Sequence, residues 1–236
     1  MNIITPSPRI ILIKRLVLTI GFISTAFSLN AIEVSAGISS DLGFIFTSTD
    51  TNIPEPYKSQ LISTLDSMDL TRGGVSAFLD TQYIEANLGF NFFTISYSES
   101  GVKYEETDNS FNLGLKLKYP FRITETVIIF PLIGFDYSIL TEAKIKASNG
   151  LSGYAEREDI VPSDAFDRFY LNLGIGADFF VSQNVYIRGE FNYTFLFNTE
   201  MQKDTIVQIE SMGYNLSIFQ NGPVLKAAVG YRFLNN

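Results

Sequence analysis

From Phe169 to Val181 the chain reads F-Y-L-N-L-G-I-G-A-D-F-F-V. Phe169, Leu171, Leu173, Ile175, Ala177, Phe179 and Val181 share one parity, and Tyr170, Asn172, Gly174, Gly176 and Asp178 share the other. Successive side chains of a strand point to opposite faces, so this stretch predicts a ribbon with one apolar and one largely polar face. The pattern recurs along the chain. Ile32, Val34, Ala36, Ile38, Leu42, Phe44 and Phe46 alternate with Glu33, Ser35, Gly37, Ser39, Asp41 and Gly43. Val75, Ala77 and Leu79 form a short run, and Ile84, Ala86, Leu88, Phe90 and Phe92 resume after a turn at Asp80-Thr81-Gln82. Phe111, Leu113, Leu115, Leu117 and Tyr119 follow, then Val127, Ile129, Ile133, Phe135, Tyr137 and Ile139. Val185, Ile187, Phe191, Tyr193, Phe195 and Phe197 make the seventh apolar face, and Pro223, Leu225, Ala227, Val229, Tyr231 and Phe233 the last.

None of these apolar faces carries Asp, Glu, Lys or Arg, whereas their opposite faces do. A soluble sandwich or lipocalin-like barrel places its charges outside. The reverse arrangement predicts lipid outside and polar groups inside, in an all-β, eight-stranded antiparallel up-and-down transmembrane β-barrel. The connections alternate long and short, as they do in outer-membrane barrels with long extracellular loops and short periplasmic turns. Pro131 cannot donate to a ladder, so a bulge is expected there. Tyr57, Leu61, Leu65 and Met68 recur at helical spacing in the first long connection and predict a short amphipathic helix. Tyr214, Leu216 and Ile218 alternate before Asn221-Gly222, which predicts a strand extension above the membrane or an exposed edge.

The opening segment differs in kind. Arg9, Lys14 and Arg15 precede an apolar run from Leu16 to Leu29, and Ala31 offers a small residue for cleavage. A basic region, a short apolar core and a processing site predict a signal peptide over 1–31, leaving the barrel over 32–236. The run is shorter than the ~20 residues of a spanning helix. The chain is expected to be exported.

Strand phasing assigns the inward charges. The acids are Glu33, Asp41, Glu85, Asp136, Asp178 and Glu190; the bases are Lys116, Lys118, Arg168, Arg188, Lys226 and Arg232. Their balance predicts an internal ion network, because isolated buried ions cost several kcal/mol each. Cross-strand pairs Glu85–Lys118, Asp178–Arg188 and Glu33–Arg232 are expected near the short-turn end. Eight strands enclose only enough room for their own side chains, so the lumen should be closed.

Composition narrows the chemistry. The 236 residues include no cysteine and no histidine. That removes thiolate sites, the commonest metal ligand and the usual general base. No catalytic residue, metal site or cofactor is predicted. A net charge of −8 argues against a nucleic-acid partner, and most of the surplus acid lies in the long connections.

The closing run Lys226-Ala-Ala-Val-Gly-Tyr-Arg-Phe233 resembles the last strand of outer-membrane barrels of the OmpX/OmpA-transmembrane-domain type. The resemblance implies that Lys226, Ala228, Tyr231 and Phe233 form the signal read by the barrel-assembly machinery. Lys118-Tyr-Pro-Phe121 and Phe130-Pro-Leu-Ile-Gly-Phe-Asp-Tyr137 are similar to small, uncharacterised spirochaete outer-membrane barrels. What the resemblance implies is a non-enzymatic, porin-like barrel in the bacterial outer membrane. Its partners would be membrane lipid, the assembly machinery and extracellular or host ligands met by the loops, in adhesion or envelope integrity. An alternative is a narrow channel for small or hydrophobic solutes, as in OmpW-like barrels.

Overall fold

The computed structural model describes residues 33–54, 58, 69–99, 102–148, 155–157, 167–197 and 199–233. Among the described residues ten strands run in chain order as β1 (Val34–Thr51), β2 (Asp69–Thr81), β3 (Ile84–Glu99), β4 (Val102–Lys118), β5 (Phe121–Arg122), β6 (Val127–Ser148), β7 (Ala155–Arg157), β8 (Arg168–Phe180), β9 (Val185–Phe197) and β10 (Leu216–Phe233). One helix, α1 (Glu200–Ser211), stands between β9 and β10. Eight long strands pair antiparallel with their chain neighbours, and β1 pairs β10 while β4 pairs β6. The sheet therefore closes on itself and leaves no edge through the barrel. β5 prolongs β4 beyond Pro120, and β7 flanks the upper part of β6.

The alternation read from the sequence sorts cleanly between outside and inside. Ile38, Leu42, Val75, Phe90, Ile175, Phe191 and Leu225 project outward and exposed. Asn87, Asn112, Asp136, Asn172, Asp178, Arg188 and Glu190 are buried. Only hydrocarbon makes such an exterior stable. Rings gather at its two ends: Phe135, Phe169 and Phe197 adjoin at centroid distances of 5.9 and 5.4 Å, and Tyr83, Tyr119 and Phe121 at 6.2 and 5.0 Å. Hydroxyl side chains fix the short turns: Thr81 Oγ1 both accepts from the Ile84 amide and donates to its carbonyl, and Ser182 Oγ accepts from the Val185 amide.

Several boundaries differ from the sequence expectation. β2 begins at Asp69 rather than near Val75, and β4 runs from Val102 through most of the charged stretch Glu99 to Asn109, which reads as a loop in the sequence. β6 continues to Ser148. Above the lipid, both faces of a strand meet water or polar neighbours, so the apolar-polar alternation fades while the ladder continues. Pro131 lies in regular register opposite Ile175, without the expected bulge. Its other neighbour ladder is interrupted at Tyr119-Pro120, where the Tyr119 amide still donates to the Pro131 carbonyl at 3.2 Å. The register shift falls higher, where Asn109 faces Glu142 and Ser110 faces Leu140, leaving Thr141 as the extra residue.

The segment around Leu216 and Ile218 is a strand extension, paired with the top of β1. Its apolar face is covered: Leu216 and Ile218 are buried with Ile53 of the β1 end and Ile209 of α1. The helix has a complete capping box. Thr199 Oγ1 accepts from the Gln202 amide, and the Gln202 side chain accepts from the Thr199 amide. It ends before Gly213, whose φ of 88° suits glycine. The expected signal segment over 1–31 and the expected helix at Tyr57, Leu61, Leu65 and Met68 lie outside the described residues.

Candidate functional site

The lumen is filled in layers, each set by strand register. At the short-turn end Phe78, Tyr186 and Ala228 pack with Phe180. Arg232 reaches Glu33 at 3.3 Å and lies 3.9 Å over the Phe180 ring. Gly230 is required here, because a β-carbon would fall 2.2 Å from the Tyr186 ring.

Arg188 organises the next layer. Its Nε donates to Asp178 at 2.5 Å, its Nη2 to Asp80 at 2.6 Å, and its Nη1 to Glu85. The guanidinium carbon also lies 5.0–5.4 Å from the rings of Phe78, Phe130 and Tyr186. Phe130 and Leu132, which interrupt the alternation of β6, are buried inside the barrel, and Phe130 also faces Lys118 Nζ at 4.9 Å. Lys116 bridges Glu190 at 2.5 Å and Glu85 at 3.3 Å, and Lys226 reaches Glu85 at 3.4 Å.

Asp178–Arg188 and Glu33–Arg232 are both present as ion pairs. Glu85–Lys118 is not. Register places Glu85 opposite Lys116, and Lys118 instead binds Asp80 at 2.5 Å. The short β2–β3 turn brings Asp80 directly opposite Glu85 and thus into this layer.

Above it lies a neutral lattice of amides and hydroxyls. Asn112 donates to Asn87, Ser138 to Asn112, Asn91 to Ser138, and Thr194 to Asn172. Asn172 donates to Asp136 at 2.7 Å, and Arg72 links Asp41 at 3.4 Å with Asp136 at 3.9 Å. A cavity of about 20 Å³ among Asp41, Arg72, Asn192 and Lys226 is about the room one water molecule needs.

The top layer closes the lumen. Arg168 lies 4.6 Å over the Phe93 ring, Phe93 stacks on Tyr170 at 6.3 Å, and Arg72 lies 5.2 Å over Tyr170. This cation–ring–ring–cation stack crosses the barrel from β8 to β2 and β3. Ile45, Leu70, Ile95 and Leu196 surround it. Arg168 also pairs with buried Asp108.

Arg72, Asp80 and Asp108 escape the sequence reading because the first and last lie in stretches read as connections and Asp80 in a turn. Parity would have found them: Arg72 and Asp80 share the phase of buried Phe78, and Asp108 that of Asn112 and Lys116. With them the inward acids outnumber the inward bases by one, where the sequence predicts balance. Each Lys or Arg described in the lumen has a carboxylate within ion-pair distance. Among the described residues no group of three or more Asp or Glu is arranged to hold a metal ion. Of the four residues of the closing-strand motif, Lys226 and Ala228 point inward while Tyr231 and Phe233 stand exposed outside.

Residues 18–233 match the model of a family described as the outer membrane protein beta-barrel domain. No curated protein matches the sequence. Among solved structures, the chain is similar to Neisserial surface protein A, at 12% identity over 84% of this chain and 97% of that one, TM-score 0.43. It is similar to a major outer membrane protein of Thermus thermophilus, at 16% identity over 86% and 100%, TM-score 0.41. Ail, the attachment invasion locus protein of Yersinia pestis, has 15% identity over 85% and 99%, TM-score 0.33. The family match spans most of the chain, and the uncharged apolar exterior agrees with it: the chain belongs to the outer membrane protein beta-barrel domain family and resides in the bacterial outer membrane.

Proposed function

We propose that this protein is a non-enzymatic surface barrel with a closed lumen, whose tall extracellular strands and loops make the functional contacts, in adhesion or in holding the envelope together. The observation that carries the reading is the cross-lumen stack of Arg168, Phe93, Tyr170 and Arg72, backed by the ion layer around Arg188. A lumen occupied by its own paired side chains offers no path to a solute, which leaves the extracellular rim as the working surface. The absence of histidine supports a non-enzymatic role, since rim-located hydrolases would need another general base. A channel for hydrophobic solutes would need a continuous apolar lining or a lateral opening, whereas the inward rings here pack against one another and against guanidinium groups, and Asn, Ser and charged pairs fill the level between the two ring layers.

Two measurements test the reading together. Purified barrel inserted into planar bilayers should give no conductance steps. Cells displaying the protein should adhere to a matrix-coated surface, and replacing loops 52–68 and 149–166 by short Gly-Ser links should abolish adherence while the heat-modifiable barrel persists on a gel. Reproducible conductance steps would overturn the closed lumen. Adherence unaffected by loop replacement would overturn the contact role.

A further inference from the structure

β1 and β10 are the first and last long strands, and the barrel closes where they pair. Inside the lumen that seam sets Asp41 directly opposite Lys226. Opposite charges at facing positions ordinarily pair across a ladder, yet here each bonds elsewhere. The Asp41 carboxylate leans over β2: a β-carbon on Gly74 would fall 2.8 Å from its Oδ1, and its Oδ2 accepts from Arg72 at 3.4 Å. The Lys226 ammonium reaches across the lumen to Glu85 of β3 at 3.4 Å. Both side chains line the cavity of about 20 Å³, together with Arg72 of β2, Asn192 of β9 and Asp136 of β6.

The polar groups around this cavity have hydrogen-bonding capacity to spare. Asp41 Oδ1 and Asn192 Oδ1 are buried and accept no hydrogen bond from the protein, and Arg72 Nε donates none. Lys226 carries three N–H groups, and among the described residues one is used, on Glu85. Asn192 is 4% exposed and Arg72 3%, so bulk solvent does not satisfy them. Two acceptors and two donors thus line a space with room for about one water molecule. A cation there would face the charges of Lys226, Arg72 and Lys116, and an anion those of Asp41 and Asp136. The set suits a neutral molecule that both donates and accepts, and of such molecules water is small enough.

We propose that one water molecule is a built-in part of the seam, donating to Asp41 Oδ1 and Asn192 Oδ1 and accepting from Lys226 Nζ and Arg72 Nε. It joins the facing charges of the first and last strands and ties them to β9 and β2. Four partners fill the hydrogen-bonding capacity of a water molecule, and a water so held is costly to remove. The stack of Arg168, Phe93, Tyr170 and Arg72 lies on one side of the site and the Arg188 layer on the other, so the water leaves only when the lumen opens. That slow escape rests on the closed lumen; the occupancy itself does not.

The test is a crystal structure of the intact wild-type barrel at a resolution that shows ordered water. A density peak is expected within about 2.7–3.2 Å of Asp41 Oδ1, Asn192 Oδ1 and Lys226 Nζ. An empty site, a direct Asp41–Lys226 contact, or anomalous signal from rubidium after a soak would each overturn the proposal, the last by making this a cation site. A second measurement reads the bridge in the membrane. The coupling between Asp41→Asn and Lys226→Met, from urea unfolding of the single and double variants in vesicles, should be at least about twofold in the unfolding constant. It should vanish in an Asn192→Leu background, and coupling that persists there would overturn the bridge. The crystal needs no variant, so it decides even where Asn192→Leu does not fold. A density peak in the crystal together with conductance steps in bilayers would keep the water and overturn the closed lumen alone.

Discussion

Arg188 holds Asp80, Glu85 and Asp178 at once and is itself enclosed by three rings. No other side chain type could do this, since a guanidinium offers a planar fork for carboxylates and two faces for aromatics. Replacing it by leucine leaves three buried carboxylates short of a partner. Losing one member of a buried ion pair costs about 3–5 kcal/mol. Arg188→Leu is expected to destabilise the barrel by at least that much, read as a lowered urea midpoint in lipid vesicles. Arg188→Lys should fall between, because an ammonium keeps the charge but cannot serve three acids and three rings together.

At the scale of the element, α1 is a small structure with its own signals. Thr199 and Gln202 form the capping box, and Ile206 and Ile209 put an apolar stripe toward Ile53 and Leu216. Thr199→Ala is expected to weaken the helix by about 1 kcal/mol. Exchange of the 200–211 amides should rise while the unfolding midpoint of the barrel stays put. That helix was legible in the sequence, since a cap followed by i, i+3 apolar residues is its ordinary mark, yet the alternation of Leu216 and Ile218 draws the eye instead. β8, β9 and β10 could be read almost residue by residue, because lipid on one side and a polar lumen on the other enforce strict parity. The upper parts of β2, β4 and β6 could not, because Thr71, Thr107 and Glu142 stand where no lipid demands an apolar partner. Arg72 and Asp108 were hidden for that reason, and with them one end of the cross-lumen stack and the anchor of the other.

For the whole molecule, the division between a hydrocarbon-facing exterior and a paired interior sets which substitutions matter. Leu173 is exposed at mid-barrel, and a Lys or Arg on a lipid face at the bilayer midplane costs about 2–4 kcal/mol. Leu173→Arg is therefore expected to lower the unfolding free energy in vesicles by that amount. Asp50→Arg, exposed on β1 above the apolar band, should change it by less than about 0.5 kcal/mol. Equal effects at the two positions would contradict the lipid-facing assignment.

Lys226 lies on the final strand, and its ammonium is directed at Glu85, encoded 141 positions earlier. A chain interrupted before that lysine would carry Glu85 and Glu190 with one cation fewer and a seam between β1 and β9 with nothing to fill it. Sealing the sheet and completing the set of three cations around Glu85 therefore depend on the same final strand, so the barrel is finished electrostatically at the step that shuts it mechanically.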